Sequence, residues 1–333
     1  WCLVNQSLKP MSELSVVILI RNKHNYQKEN VMRNILVTGG TVFVSRYVAE
    51  YFVKKGDNVY VLNRNTRPQS EGVTLIEADR HNLGDTLRKY HFDLVLDVTA
   101  YTKTDIESLV NALDNIDQYI FISSSAVYPE TLEQPFSEEQ ECGPNAIWGA
   151  YGINKLEAEK YLLDKVPQAY ILRPPYLYGP MQNVYREPFV FDCADADRPF
   201  YIPKDGSMPL QFFHVEDLCR FIEIILEKQP EDHIFNVGNP EVVTINEWVK
   251  MCYQAAGKEA RLVSVDASHQ QRDYFPFYDY AYKLDVTKQN ALMQDTKPLL
   301  QGLQESYQWY QKHSELVNKK PFFDYINQLE GGR

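Results

Sequence analysis

Short apolar runs alternating with helical windows from Asn34 onward constrain this chain more than any other feature. Ile35-Leu36-Val37 ends in Thr38-Gly39-Gly40, and a helical stretch over 47–55 follows, stopped by Gly56-Asp57. Residues 58–62, 73–76, 94–98 and 119–122 read as further strands, with helical windows at 81–90 and 105–113 between the later ones. A helix over 151–163 precedes a sixth strand at 170–172, and helices return at 215–227, 245–256 and 299–313. Strands this short and apolar are covered on both faces, so they form a parallel sheet. Right-handed crossovers then make the α/β sheet doubly wound. After Pro180 the pattern turns irregular and rich in Pro and aromatic residues. The expected layout is a dinucleotide-binding domain at 32–180, with 210–240 returning to it. A smaller C-terminal mixed α/β substrate lobe takes 181–209 and 241–333.

The loop between the first strand and its helix is Thr38-Gly39-Gly40-Thr41-Val42-Phe43-Val44-Ser45. In a Rossmann-type fold this is where a dinucleotide pyrophosphate meets free backbone N–H groups and a helix dipole. Gly39, Gly40, Thr41, Phe43 and Val44 are therefore candidate cofactor contacts. The usual fingerprint has three glycines. Here Val42 and Ser45 hold two of those positions, and a side chain at Val42 crowds the approach. An acidic residue after the second strand would receive the ribose hydroxyls of NAD. Asn63 and Arg64 stand there instead, so between NAD and NADP the sequence leans to NADP. Asp79, beside Arg80, follows the third strand and offers an acceptor to the adenine amine. Val98-Thr99-Ala100, Ser123 and Pro174 complete the expected cofactor surface.

Tyr151 and Lys155 lie four residues apart at the start of a helix, hence on one face. A phenol ionises near pH 10, and a neighbouring ammonium is expected to bring it within reach of proton transfer at neutral pH. The fifth strand ends in Ser123-Ser124-Ser125, at the sheet edge that faces the ligand crevice.

The chain has 333 residues and a net charge of −11, with its lysines and arginines dispersed. It lacks the basic stripe of a nucleic-acid binder. Five cysteines without a CxxC pair point to reduced thiols rather than a disulfide framework, and no histidine spacing suggests zinc, so no metal is expected. No run is long and apolar enough for a membrane span, and a cytoplasmic location is expected. Residues 1–31 lack periodicity. They read as an extension, disordered or foreign to the fold, or as an arm packed on it.

The glycine loop, the serine-bearing strand end and the Tyr-Lys helix come in the order of a known family. The sequence resembles the extended short-chain dehydrogenases/reductases, the NAD-dependent epimerase/dehydratase family, from Arg33 to about His313. The likeness extends to Leu172-Arg173-Pro174-Pro175-Tyr176-Leu177-Tyr178-Gly179-Pro180, to Phe213-His214-Val215-Glu216-Asp217-Leu218 and to Phe235-Asn236-Val237-Gly238-Asn239. It implies Ser124, four residues before Tyr128, as the catalytic serine. It further implies Tyr151 as acid/base, Lys155 as its partner, and hydride transfer at a carbinol carbon of a sugar or nucleotide sugar. Family analogy also implies a homodimer through helices near the Tyr-Lys segment.

Two departures narrow the expectation. Family dehydratases carry an Asp-Glu pair where this chain has Ser125-Ala126, which favours a 4-epimerase-like or reductase chemistry over a 4,6-dehydratase. The diphosphate-binding arginine of many members is replaced by Leu210. Arg272 is the candidate to compensate, with Tyr101, Tyr176 and Gln211 as further substrate-wall candidates. The GGTxFxx loop also resembles a subgroup that includes chloroplast stem-loop-binding proteins. The alternative is therefore a catalytically idle dinucleotide-binding RNA-binding or regulatory protein.

Overall fold

The computed structural model describes residues 32–331. The expected extension at 1–31 lies outside the described residues. From Arg33 onward the chain makes one compact unit.

Seven parallel strands form the central sheet: β1 (Asn34–Thr38), β2 (Asn58–Asn63), β3 (Val73–Glu77), β4 (Leu94–Asp97), β5 (Tyr119–Ile122), β6 (Tyr170–Arg173) and β7 (Ile234–Asn236). Their spatial order is β7-β6-β5-β4-β1-β2-β3. The order reverses between β1 and β4, which opens a crevice at the carboxyl ends of those strands. Buried alternate residues of β1 explain the two-sided cover. Ile35 and Val37 enter one core, while Leu36 enters the other.

Helix α1 (Phe43–Lys54) packs beside α5 (Val215–Lys228) on one face of the sheet. Helices α2 (Lys103–Ala112) and α3 (Ala150–Lys165) pack together on the other. Helix α2 begins with a capping box in which Thr102 and Asp105 satisfy each other's backbone N–H groups. His214 caps α5, where its Nδ1 accepts from the Glu216 N–H at 3.2 Å. Burial pushes the His214 pKa down to about 3, so the ring stays neutral as a cap requires.

A third core gathers α4 (Glu187–Asp195), α6 (Ile245–Ala255), α7 (Leu299–His313) and α8 (Phe322–Gly331). Short two-stranded ribbons complete it, among them Tyr176–Tyr178 with Phe212–His214 and Phe200–Pro203 with Leu262–Val265. Aromatic rings dominate this core, with Trp248 stacked on Phe212 and edge-on to Phe277.

One expected helix is absent. Residues 81–90 form consecutive turns whose amides reach back three residues, Thr86 to Leu83, Arg88 to Asp85 and Tyr90 to Leu87. Leu83 and Leu87 are buried four residues apart, which imitates a helical stripe. Gly84 at φ +50° breaks the register. Helix α1 begins at Phe43, four residues before the expected start, and α4 and α8 had no counterpart in the sequence pattern. Among the described residues no helix is long and apolar enough to cross a membrane.

Candidate active site

The glycine loop is closed down on the sheet. Gly39 and Gly40 hold φ +91° and +86°. A Cβ on Gly40 would lie 2.4 Å from Val61 Cγ1, and one on Gly39 would lie 2.8 Å from both Ser45 Oγ and Thr99 Cγ2. Only glycine meets both demands. Val42 is the N-cap of α1 with an ordinary extended φ of −137° and makes no side-chain cap, and the first turn holds no acid. The helix thus presents uncapped N–H groups and an uncompensated positive end. These features fit a dinucleotide pyrophosphate, and Val42 is accommodated at the cavity wall.

The loop is braced from beneath. Thr38 Oγ1 donates to buried Asp97 at 2.7 Å and accepts from the N–H groups of Val98 and Thr99. Burial raises the Asp97 pKa, but Arg80, Tyr119 and Thr38 overcome this and hold it below the usual carboxylate range. Both Nη groups of Arg80 serve this brace, bonding Asp97, Thr99 and the Asp105 carbonyl. Asn63 Nδ2 donates to the Gly39 carbonyl at 2.7 Å, so its amide supports the loop. Arg64 and Asp79 line a cavity of ≈ 300 Å³ together with Gly39, Thr41, Asn63, Arg80 and Thr99.

A larger cavity of ≈ 550 Å³ starts at Val42, Phe43 and Val44 and passes Val98 and Thr99. It reaches Ser123, Ser124, Tyr151, Lys155 and Pro174, and ends among Trp148, Tyr176, Arg186 and Tyr282. No Asp or Glu is among its described lining residues.

Gly152 fixes α3 against the serine turn, because a Cβ there would fall 2.1 Å from the Ala126 carbonyl oxygen. Tyr151 is thereby brought to Ser124. Tyr151 is 39% exposed as a residue; desolvation of its hydroxyl raises the phenol pKa, and the neighbouring Ser124 hydroxyl opposes that. The Ser124 hydroxyl also accepts from the Ala126 N–H at 3.2 Å. The Ser123 hydroxyl is turned to Glu159. Glu159 in turn holds Arg173 by two hydrogen bonds, at 3.1 and 2.6 Å.

Lys155 is 2% exposed. Its Nζ donates to the carbonyls of Ala100 at 2.7 Å and Ile122 at 2.9 Å, and it lies 4.7 Å from the Phe121 ring centroid. Burial lowers its pKa to about 8, against the pull of Asp97 and Glu159. The expected lowering of the Tyr151 phenol by Lys155 is not realised in this arrangement. The ammonium is held by two carbonyls, and the phenol sits above its ordinary value. Ala100 is fully buried and contributes that carbonyl rather than a cavity surface.

Of the substrate-wall candidates, Tyr101 and Tyr176 line the larger cavity. Gln211 does not. It is 2% exposed, its Nε2 donates to the Asn239 carbonyl at 2.9 Å, and its Oε1 accepts from the Leu284 N–H at 2.7 Å. Arg272 lines a separate cavity of ≈ 320 Å³ with Asp273 and Lys320, and its guanidinium bonds the Pro276 carbonyl. Trp148, Tyr282 and Arg186 were not expected from the sequence. Tyr278, Tyr280 and Tyr282 alternate in sequence, a period of two that signals a shared face, and Trp148 meets all three rings edge-on. Arg186 had no comparable signal.

The NAD dependent epimerase/dehydratase family model matches residues 35–238. The chain belongs to this family of enzymes. It is 27% identical over 308 residues to the chloroplast stem-loop binding protein of 41 kDa b of Arabidopsis thaliana, covering 85% of this chain and 80% of that protein. It is 24% identical over 335 residues to a dTDP-4-dehydro-6-deoxy-D-allose reductase of a Streptomyces species, covering 84% and 97%. Among solved structures, the UDP-glucuronic acid 4-epimerase of Bacillus cereus, in complex with UDP-glucuronic acid and NAD, superposes with a TM-score of 0.66. The identity is 22%, over 84% of this chain and 99% of that one. At that identity the likeness establishes the shared fold.

Proposed function

We propose that this chain is an NAD(P)-dependent oxidoreductase or epimerase that acts on a carbinol of a sugar or nucleotide sugar. The observation that carries the reading is that Ser124, Tyr151 and Lys155 line one cavity that begins at the glycine loop. A nicotinamide dinucleotide lying along that loop supplies a hydride acceptor and donor. Tyr151 Oη takes the carbinol proton and returns it, Ser124 holds the substrate oxygen, and Lys155 keeps positive charge beside them. The dinucleotide belongs to 32–180 with 210–240, and the substrate to 181–209 and the segments after 241.

A cavity without carboxylates among its described lining residues supports epimerisation or reduction over 4,6-dehydration, since elimination needs an acid and a base at Ser125-Ala126. Arg64 at the adenosine end supports NADP, while Asn63 is engaged by the loop. Ile147 and Ile153, 36% and 38% exposed around the start of α3, support a homodimer through that helix. The RNA-binding or regulatory alternative is disfavoured by the net charge of −11 and the complete Ser-Tyr-Lys set.

The test is incubation of the purified protein with NAD or NADP and a panel of UDP- and dTDP-sugars, read by NMR for epimerised or reduced product. Turnover that disappears in Tyr151→Phe supports the reading. No turnover of any sugar by the wild type, with either cofactor, counts against it.

A further inference from the structure

The aromatic end of the larger cavity is pinned as well as packed. Trp148 is half-buried and lines that cavity. Beneath it lies Asn145, 2% exposed, whose Oδ1 accepts from the N–H groups of Ile147 at 2.8 Å and Trp148 at 3.1 Å. The Asn145 Nδ2 donates to the Tyr128 carbonyl at 2.8 Å and to the Tyr280 hydroxyl at 3.3 Å. One buried amide thus fixes both the backbone of Trp148 and a ring beside its indole. Tyr278, Tyr280 and Tyr282 stand at 81°, 72° and 89° to the indole plane, with centroids 5.3, 6.3 and 6.4 Å away. Tyr278 is held in turn by the Arg272 guanidinium, 4.6 Å from its ring centroid, and Tyr282 by the Ser125 hydroxyl, which donates to it at 3.3 Å. Among the described residues no ring stacks face to face on the indole.

An indole fixed on a cavity wall without a stacked ring has a face to offer. That face carries the negative end of the ring quadrupole and attracts C–H groups polarised by adjacent oxygens. A pyranose can be held by the hydroxyls around its rim or by its faces of C–H bonds, which gain dispersion contact with an aromatic surface. The wall around Trp148 is suited to the second mode, since no Asp or Glu is among the described lining residues. The Trp148 carbonyl accepts from the Tyr151 N–H at 3.2 Å, so the indole and the phenol leave the same turn. The ring beside Trp148 is therefore the one that reaches Tyr151, not the base of a nucleotide. We infer that Trp148 is the stacking platform for the sugar ring that carries the reacting carbinol, and that the substrate turns a face of C–H bonds toward the indole. The inference rests on the reading of the cavity as a sugar site and adds to it the residue that selects the sugar. A fixed indole also sets the plane of the sugar relative to Tyr151, so that stacking serves orientation as well as affinity.

Titration calorimetry on the NAD-loaded protein tests this with UDP-glucose, UDP-galactose and UDP as probes, for the wild type, Trp148→Leu and Trp148→Phe. Leucine keeps an apolar side chain and removes the π face, whereas phenylalanine keeps a smaller one. The expected result is that Trp148→Leu weakens at least one of the two UDP-sugars about tenfold, with Trp148→Phe in between. Binding of UDP and of NAD stays within about twofold, which also shows that the variants are folded. Saturation-transfer NMR on the wild type needs no variant, and it shows saturation concentrated on the C–H protons of one face of the sugar ring. Unchanged binding of both UDP-sugars in Trp148→Leu overturns the inference. So does an equal loss for UDP and the UDP-sugars, which would put the base on the indole. Even saturation of both sugar faces, or a wild type that binds neither UDP-sugar, overturns it as well. If turnover depends on Tyr151 but Trp148→Leu binds the sugars as the wild type does, the inference falls and the proposed function stands. If a sugar stacks on Trp148 but none is turned over, the proposed function falls and the stacking site remains.

Discussion

Lys155 Nζ donates to the carbonyl oxygen of Ala100 at 2.7 Å, and so ties the helix that carries Tyr151 to the loop that follows β4. The same ammonium reaches the Ile122 carbonyl at the end of β5. Three elements that converge from distant parts of the sequence thus share one buried charge.

That charge predicts a pH dependence of stability. An unfolded lysine keeps its proton up to about 10.5, whereas folded Lys155 keeps it only to about 8. Between those values the unfolded state binds more protons, so stability rises with pH across that window. The cost of the buried ammonium is fully present below about 8. The shift corresponds to roughly 3 kcal/mol. Urea denaturation of the wild type and of Lys155→Met at pH 7 and pH 10 measures it. The wild type gains on the variant by an amount of that order, and equal pH responses would contradict the assignment.

Tyr151→Phe removes the proton carrier and leaves the ring. Turnover falls by about 10²–10⁴-fold. Equilibrium binding of NAD, followed by fluorescence, stays within about twofold because the glycine loop is untouched.

Gly40→Ala places a Cβ against Val61 at a φ of +86°. Left-handed strain in a non-glycine residue costs about 1–2 kcal/mol before the clash is counted. Calorimetry shows a Tm lower by several degrees, accompanied by weaker dinucleotide binding. A variant with unchanged Tm would mean that the loop moves more freely than its contacts allow.

Glu159→Gln leaves Arg173 charged and buried, at 3% exposure, without its carboxylate. Breaking a buried pair from one side costs about 3–5 kcal/mol. Chemical denaturation reads this directly, and a loss below about 1 kcal/mol would show that the Tyr128 hydroxyl and water suffice for Arg173.

Arg64→Glu tests the cofactor preference. Binding of NADP weakens about tenfold, equivalent to about 1.4 kcal/mol, while NAD stays within about twofold of the wild type. Equal effects on both cofactors would place Arg64 away from the 2′-phosphate.

Six of the seven strands of the main sheet were legible because buried parallel strands consist of little else than apolar residues, as Ile35-Leu36-Val37 shows, whereas the three-residue β7 was not read as a strand. The glycine loop and the Tyr151–Lys155 pair were legible because their chemistry depends on local spacing. Residues 81–90 deceived because Leu83 and Leu87 bury four residues apart in turns as readily as in a helix. Gln211 and Arg272 carry no local mark of the side to which they point, and only tertiary contacts direct one to Leu284 and the other to Pro276. Arg186 was invisible for the same reason. Only tertiary packing brings it to the cavity wall.

Tyr151, Lys155 and Glu159 stand on successive turns of α3, and each faces a different obligation: the cavity, the carbonyls of Ala100 and Ile122, and Arg173. The helix therefore acts as one rigid rail on which no member can be adjusted without moving the others. Adaptation of this scaffold is channelled away from that helix, to Tyr176, Arg186 and Tyr282, which come from separate segments of the chain.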